Sequence, residues 1–240
     1  MAKARDTGGK LFDASKFRLH RIRRASRDEI EIELGLTSYK DYVGTNLRCE
    51  ADRAALEADG LDVLGDPSAH LSNALGCEAM LITLDGLAVL LRRSGAVATG
   101  SGLYNGPSGH AEPSHAGIYS HQDGDMSPDA VDGRAADELF GAILQEVHEE
   151  TNIPLHSLSE PRLLGAMEDT KRKPDVLFCI DCKLDARGVR EAYAQGAAEG
   201  WESDRLAFWP ASTLAECREL PLTCVTRACA ALYGQAFAEL

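Results

Sequence analysis

Apolar and polar residues alternate from Lys16 to Arg24 and again from Glu29 to Leu36. That period of two predicts a pair of half-buried strands. Cys49 to Asp59 has helical spacing and runs into Gly60, where the helix is expected to stop. A polar, turn-rich stretch follows around Gly65-Asp66-Pro67-Ser68. The pattern predicts a polar, disordered tail over residues 1–10, a small α/β unit over 11–75, and a larger domain over 76–240.

In the larger part, Met80 to Leu84 and Leu87 to Leu91 flank Asp85-Gly86, a strong hairpin signal. Gly100 to Gly133 is rich in Gly, Ser, Pro, His and Asp and reads as one long loop, a length usually reserved for function or disorder. A helix is predicted over Arg134 to Glu150, ending at Asn152-Ile153-Pro154. Strands follow at Arg162 to Met167, Val176 to Cys182 and Arg205 to Trp209. Helices are predicted at Ala186 to Gln195, Ser212 to Glu219 and Thr223 to Ala238. This mixed order predicts an α/β fold, a central sheet with helices packed on its faces. There is no internal repeat.

The helix ending at Glu150 carries the chemistry. At about 100° per residue, Ala136, Phe140, Ile143, Leu144 and Val147 form an apolar stripe. Glu146, Glu149 and Glu150 fall together beside it. Like charges so spaced repel by a few tenths of a kcal/mol per pair, and no Lys or Arg follows within a turn to neutralise them. A hard divalent cation would relieve that repulsion. A solvated acidic face is the other reading of the same residues.

The 240 residues carry a formal charge of −13, with 44% hydrophobic and 26% charged residues. The charge argues against nucleic acid or an anionic membrane surface as a partner. It leaves room for a phosphorylated small molecule if metal ions or local basic groups offset the field. No apolar run reaches the roughly 18 residues of a membrane span. Seven cysteines are scattered, and Cys179-Ile180-Asp181-Cys182 lacks the second pair or histidine of a zinc site. They read as buried free thiols, which with the absence of a signal segment implies a cytoplasmic protein.

Gly109-His110-Ala111-Glu112 followed by the acidic helix resembles the Nudix box of the nucleoside-diphosphate-X hydrolases. That box runs Gly, five residues, Glu, seven residues, then Arg-Glu-apolar-any-Glu-Glu-any-Gly-apolar. Glu146, Val147, Glu149, Glu150 and Ile153 match it. Asp137 stands for the earlier Glu, Gln145 for Arg, and Asn152 for Gly; Asn enters left-handed backbone more readily than most residues. The spacing from Gly109 to the first acid is much longer than five. Such an interrupted box is similar to the eukaryotic UDP-glucose pyrophosphatase branch of the family. So are Leu11-Phe12-Asp13-Ala14, Lys16-Phe17-Arg18-Leu19-His20, Gly35-Leu36-Thr37-Ser38-Tyr39, Gly44-Thr45-Asn46, Leu91-Arg92-Arg93-Ser94 and Glu138-Leu139-Phe140.

The resemblance implies a Nudix-type α/β/α sandwich with a mixed sheet and a small N-terminal α/β extension that contributes to nucleotide binding. It implies Mg²⁺-dependent hydrolysis of UDP-glucose, and of UDP-galactose, to UMP and sugar 1-phosphate. Glu146 and Glu150 would hold the metal, with Glu149 joining through water or from behind. Glu202, in a late loop, is the candidate extra ligand or general base. Phe12, Tyr39, Arg93, Ala98, Asn105, His110 and Glu112 would contact substrate, the aromatic rings by stacking on uracil. Another nucleoside-diphosphate hydrolase, or a Nudix module that binds without hydrolysis, are the alternatives. His115, His121, His148 and His156 have no metal-ligand spacing and are expected in solvent.

Overall fold

The computed structural model describes residues 13–26, 29–97, 100–120 and 127–237. Phe12, Ala98, His121 and the tail of residues 1–10 lie outside them. The chain divides into two compact units, Met1–Ala74 and Leu75–Leu240.

In the first unit, strands β1 (Ser15–Arg24) and β2 (Ile30–Ser38) form an antiparallel ribbon from Ser15↔Ser38 to Arg24↔Ile30. Ser38 caps the short helix α1 (Tyr39–Gly44), its side chain accepting from the Asp41 N–H. Helix α2 (Glu50–Leu64) runs past the expected stop at Gly60 and ends at Gly65, which has φ +71°. Gly60 serves close packing instead: a Cβ there would lie 2.7 Å from the Asp66 carbonyl oxygen. Asn46 is fully buried and exchanges two bonds with Asn73, through its Nδ2 at 3.2 Å and the Asn73 N–H at 3.0 Å. A buried amide satisfied on both ends in this way fixes a loop that apolar packing alone would leave free.

Among the described residues the second unit forms a seven-stranded mixed sheet between two layers of helix. Strands β3 (Gly76–Ile82), β4 (Leu87–Arg93), β5 (Tyr104–Asn105), β7 (Arg162–Glu168) and β8 (Pro174–Asp181) lie in the order β5-β4-β3-β8-β7. Strand β6 (Ser108–Gly109) pairs with β3, and β9 (Ser203–Pro210) with β4. β3 and β8 are parallel and buried almost throughout, which explains their continuous apolar runs. The Asp85-Gly86 hairpin forms, with Gly86 at φ +78° and its N–H bonded to the Thr83 carbonyl. Its strands pair only at Ile82↔Ala88; beyond that point β3 turns to β6 and β4 to β5. The opening between them admits the glycine-rich turn that the site uses.

One face of the sheet packs on helix α5 (Cys224–Phe237) and a 3-10 turn over Ala211–Glu216, through Met80, Ile82, Leu90, Leu177, Cys179, Leu214, Cys229 and Ala230. The predicted α-helix over Ser212–Glu219 is this shorter 3-10 turn. The other face packs on helix α3 (Pro128–Thr151), with α4 (Ala186–Ala194) beside it; Asn152 Nδ2 donates to the Ala192 carbonyl at 3.0 Å. Helix α3 begins six residues before the expected Arg134, at a Ser127-Pro128 start. That first turn and a half carries no apolar period because Asp129, Asp132 and Gly133 are exposed.

The buried stripe of α3 is Leu139, Ile143 and Val147. Ala136 and Phe140, expected within it, stand at its edge: Ala136 is exposed, and Phe140 is 36% exposed while its ring meets Phe178 edge-on at 5.2 Å. The stripe is therefore rotated toward the acidic flank, and Glu150 goes inward with Val147. His148 is half-buried rather than solvated, its Nδ1 2.8 Å from the Ile153 carbonyl oxygen. All seven cysteines are free; Cys77, Cys179, Cys182, Cys217 and Cys229 are buried, while Cys49 and Cys224 are exposed. Among the described residues no helix is long and apolar enough to cross a membrane.

Candidate metal centre

Glu146 and Glu150 lie one turn apart on α3, about 6 Å along its axis. Opposite them runs the extended segment through β6, in which N–H groups two residues apart point the same way with about the same repeat. The match is used twice. The Ser108 N–H donates to Glu150 Oε2 at 3.3 Å, and the His110 N–H donates to Glu146 Oε1 at 3.3 Å. One step further, the Glu112 N–H donates to Glu138 Oε1 at 2.9 Å. Between the first two donors sits Gly109, where any Cβ would overlap the Glu146 carboxylate and come within 2.7 Å of its Cγ. Glycine at position 109 leaves the space that the Glu146 side chain fills, and any Cβ there would push the glutamate aside.

Glu150 is 5% exposed, and Glu146 and Glu149 are half-buried. A freely solvated acidic face is thus excluded. Glu199, from the loop before β9, completes the group: Glu146, Glu149 and Glu199 each place a carboxylate oxygen within 4.8 Å of the others. The loop is registered by two clamps. The Glu199 N–H donates to the Glu149 carbonyl at 2.9 Å, at the C-terminal end of α3, where carbonyls lack helical partners. At the other side Ser94 donates through its N–H to the Glu202 carbonyl at 2.7 Å and through Oγ to the Trp201 carbonyl at 2.8 Å.

Electrostatics follow from burial and crowding. Burial and the charges of Glu199, Glu149 and Glu202 raise the Glu146 carboxyl to about 8, against a bond from His110 that lowers it. Glu150 is pushed well up by burial, then by Glu146 and Glu202. Glu199 is raised by burial, Glu202 and Glu149, and Glu202 by burial against the lowering charge of Arg93. Among the described residues none of Glu146, Glu149, Glu150 and Glu199 forms an ion pair with Lys or Arg. Glu150 lies outside this group of three, buried one turn on from Glu146. Three hard oxygen donors at this density, with no side-chain cation among them, have the chemistry of a magnesium- or calcium-type site.

The expected substrate contacts scatter in character. His110 and Glu112 are half-buried on the segment that grips α3, and Glu112 Oε2 lies 3.8 Å from His115 Nε2. Asn105 is 4% exposed, its Nδ2 donating to Ser108 Oγ at 2.9 Å, so it braces the same turn. Arg93 ends β4 opposite Ser203, next to Glu202. Tyr39 opens α1 of the first unit, its ring 6.3 Å from that of Tyr42. Glu202 does not join the carboxylate group; Glu199, three residues earlier, does. Asp137, aligned with the earlier box acid, is exposed on an open depression with His115 and Arg134, while Glu138 is turned inward beside Glu112 and His115. Sequence reasoning missed Glu199, whose one signal was an acid between glycines at Gly196 and Gly200 just before a strand.

No model of a known protein family matches the chain. Curated relatives do. The uridine diphosphate glucose pyrophosphatase NUDT22 of cattle is 38% identical, with 82% of this chain and 69% of the relative covered. The chain belongs to the Nudix hydrolase family. The mouse protein of the same name is 39% identical over 206 residues, covering 82% of this chain and 64% of its own length. Nudix hydrolase 9 of Arabidopsis thaliana is 33% identical, covering 73% and 56%. The chain spans about two thirds of the length of the NUDT22 relatives it matches. Among solved structures, the MutT protein of Methanosarcina mazei Go1 is 18% identical with a TM-score of 0.41, covering 68% of this chain and 93% of that one.

Proposed function

We propose that this Nudix hydrolase uses Mg²⁺ to hydrolyse UDP-glucose, and UDP-galactose, to UMP and the sugar 1-phosphate. The observation that carries the proposal is the paired grip of the Ser108 and His110 N–H groups on Glu150 and Glu146, with Glu149 and Glu199 closing the group. The names of the NUDT22 relatives supply the substrate.

In this reading Glu146, Glu149 and Glu199 hold the cation directly, and Glu150 holds it from the buried side. The bound metal would neutralise charge on the diphosphate oxygens and acidify the attacking water. Glu202 accepts the proton: burial raises its carboxyl, and Arg93 beside it limits the rise. Arg93, Asn105, His110 and Glu112 bind the phosphates and sugar. The uridine contacts expected from Phe12 and Tyr39, and any backbone contribution from Ala98, belong to the same proposal. The charge of −13 supports a small-molecule substrate over nucleic acid or a membrane surface, and seven unpaired cysteines support the cytoplasm as its location.

The test is product analysis with a panel of nucleoside diphosphate compounds, with and without Mg²⁺. UMP and glucose 1-phosphate in equal amounts, dependent on Mg²⁺, support the reading. Preferential turnover of ADP-ribose or a dinucleotide would replace the substrate. Tight UDP-glucose binding without turnover would make the chain a binding module.

A further inference from the structure

Glu78 is a buried acid that the proposed reaction does not use. It lies on β3, 3% exposed, with its neighbour Cys77 on the opposite face of the strand toward α3. Burial, and after it the charge of Glu146, raises the Cys77 thiol, so Cys77 lies on the side of the carboxylate group. Glu78 therefore reaches from the far face of the sheet. Its side chain bonds with the hydroxyl of Thr226, which is 1% exposed on α5. Thr226 Oγ1 lies 2.8 Å from Thr223 Oγ1, and the Thr223 N–H donates to the Tyr104 carbonyl at 2.9 Å. The other end of Glu78 meets the glycine turn: Oε1 accepts from the Gly106 N–H at 3.4 Å.

That turn has little freedom. A Cβ on Gly106 would overlap the Ala79 carbonyl oxygen, and the Ala79 N–H donates to the Pro107 carbonyl at 2.8 Å. Ser108 then pairs with Glu78 across β3 and β6. The next N–H groups in line are those of Ser108 and His110, the donors to Glu150 and Glu146. A single side chain thus ties α5, β3 and the start of the donor segment together. An apolar residue of equal volume would fill the same space at less desolvation cost, so packing alone does not account for an acid there.

We infer that Glu78 is a positioning residue for the cation site, holding the Gly106–His110 turn at the height from which its backbone donors orient Glu146 and Glu150. The inference rests on the reading of those two glutamates as cation ligands. Mutation of a group that orients metal ligands in this way lowers metal affinity by about 10–100-fold.

The experiment is Mn²⁺ titration of the full chain, followed by electron paramagnetic resonance, for wild type, Glu78→Gln and Glu78→Leu, with melting in EDTA measured beside it. Gln keeps an acceptor for Gly106 and a donor for Thr226, and should retain affinity within about threefold. Leu should lower affinity by about 10–100-fold while the melting temperature in EDTA holds or rises. Equal affinity in Glu78→Leu and wild type would overturn the inference. If Glu78→Leu does not fold, Thr226→Val serves, because it removes the hydroxyl that aims Glu78; wild-type affinity in that variant would overturn the inference equally. Absence of Mn²⁺ binding in the wild type would instead overturn the reading of the site itself.

Discussion

Gly109 and Glu146 share one space. The carboxylate of Glu146 occupies the volume where any larger residue at 109 would carry its Cβ. These residues are 37 positions apart, on either side of the long inserted segment, yet they meet as neighbours. The insertion lengthens the box in sequence without separating its two ends.

Gly109→Ala should therefore displace Glu146 while leaving the sheet intact. Divalent-cation affinity is expected to fall about 10–100-fold, read by Mn²⁺ titration, with circular dichroism unchanged. Wild-type affinity in this variant would mean that Glu146 needs no fixed position.

Glu150→Gln removes the most buried charge of the group and keeps its size. Turnover should drop by at least about 100-fold, the kinetic equivalent of about 2.7 kcal/mol of lost charge stabilisation. The metal-free variant should melt higher than wild type at about pH 8, because a group whose ionisation burial opposes has been neutralised.

Stability should depend on pH with a definite sign. Glu146 is raised from 4.5 to about 8, and Glu150, Glu199 and Glu202 are raised as well. The folded protein then holds more protons than the unfolded chain, so stability falls as pH climbs from about 4.5 to 8. Melting in EDTA should show that decline, and added Mg²⁺ should reverse most of it at pH 8 by taking the place of the protons. Glu78, raised to about 8 by burial, contributes a part that Mg²⁺ does not restore. A flat melting profile in EDTA would contradict the burial of these carboxyls.

Asn152 ends α3 at φ +59° and ψ +17°, the left-handed cap that the box fills with glycine. Asn152→Gly should keep the backbone and lose only the bond to Ala192, a cost of about 1 kcal/mol. Asn152→Val should cost more, by about 1–2 kcal/mol of backbone strain. Urea unfolding of the two variants gives the comparison.

Much of this was legible along the chain. Strands β1, β2, β7, β8 and β9 follow from alternation or apolar runs, and Asp85-Gly86 marked its turn, because period and turn chemistry are local. The crowding of Glu146, Glu149 and Glu150 was legible for the same reason. Glu199 was not, since its place depends on a bond from its own N–H to the Glu149 carbonyl, a tertiary contact that leaves no periodic trace. The facing of α3 was misjudged at Ala136 and Phe140. Stripe arithmetic takes apolar residues as buried and acids as exposed, and here Glu150 goes in while Phe140 stays at the rim. Gly60 read as a stop because glycine is a poor helix former, whereas its lack of a side chain admits the Asp66 carbonyl.

The most direct test of the cation cage is a calorimetric Mg²⁺ titration of the wild type at about pH 7 in buffers of different ionisation heat, set against Glu146→Gln. The account predicts saturable binding with protons released to the buffer, both lost in the variant. Wild-type protein that takes up no Mg²⁺, or that binds it unchanged after Glu146→Gln, would contradict it.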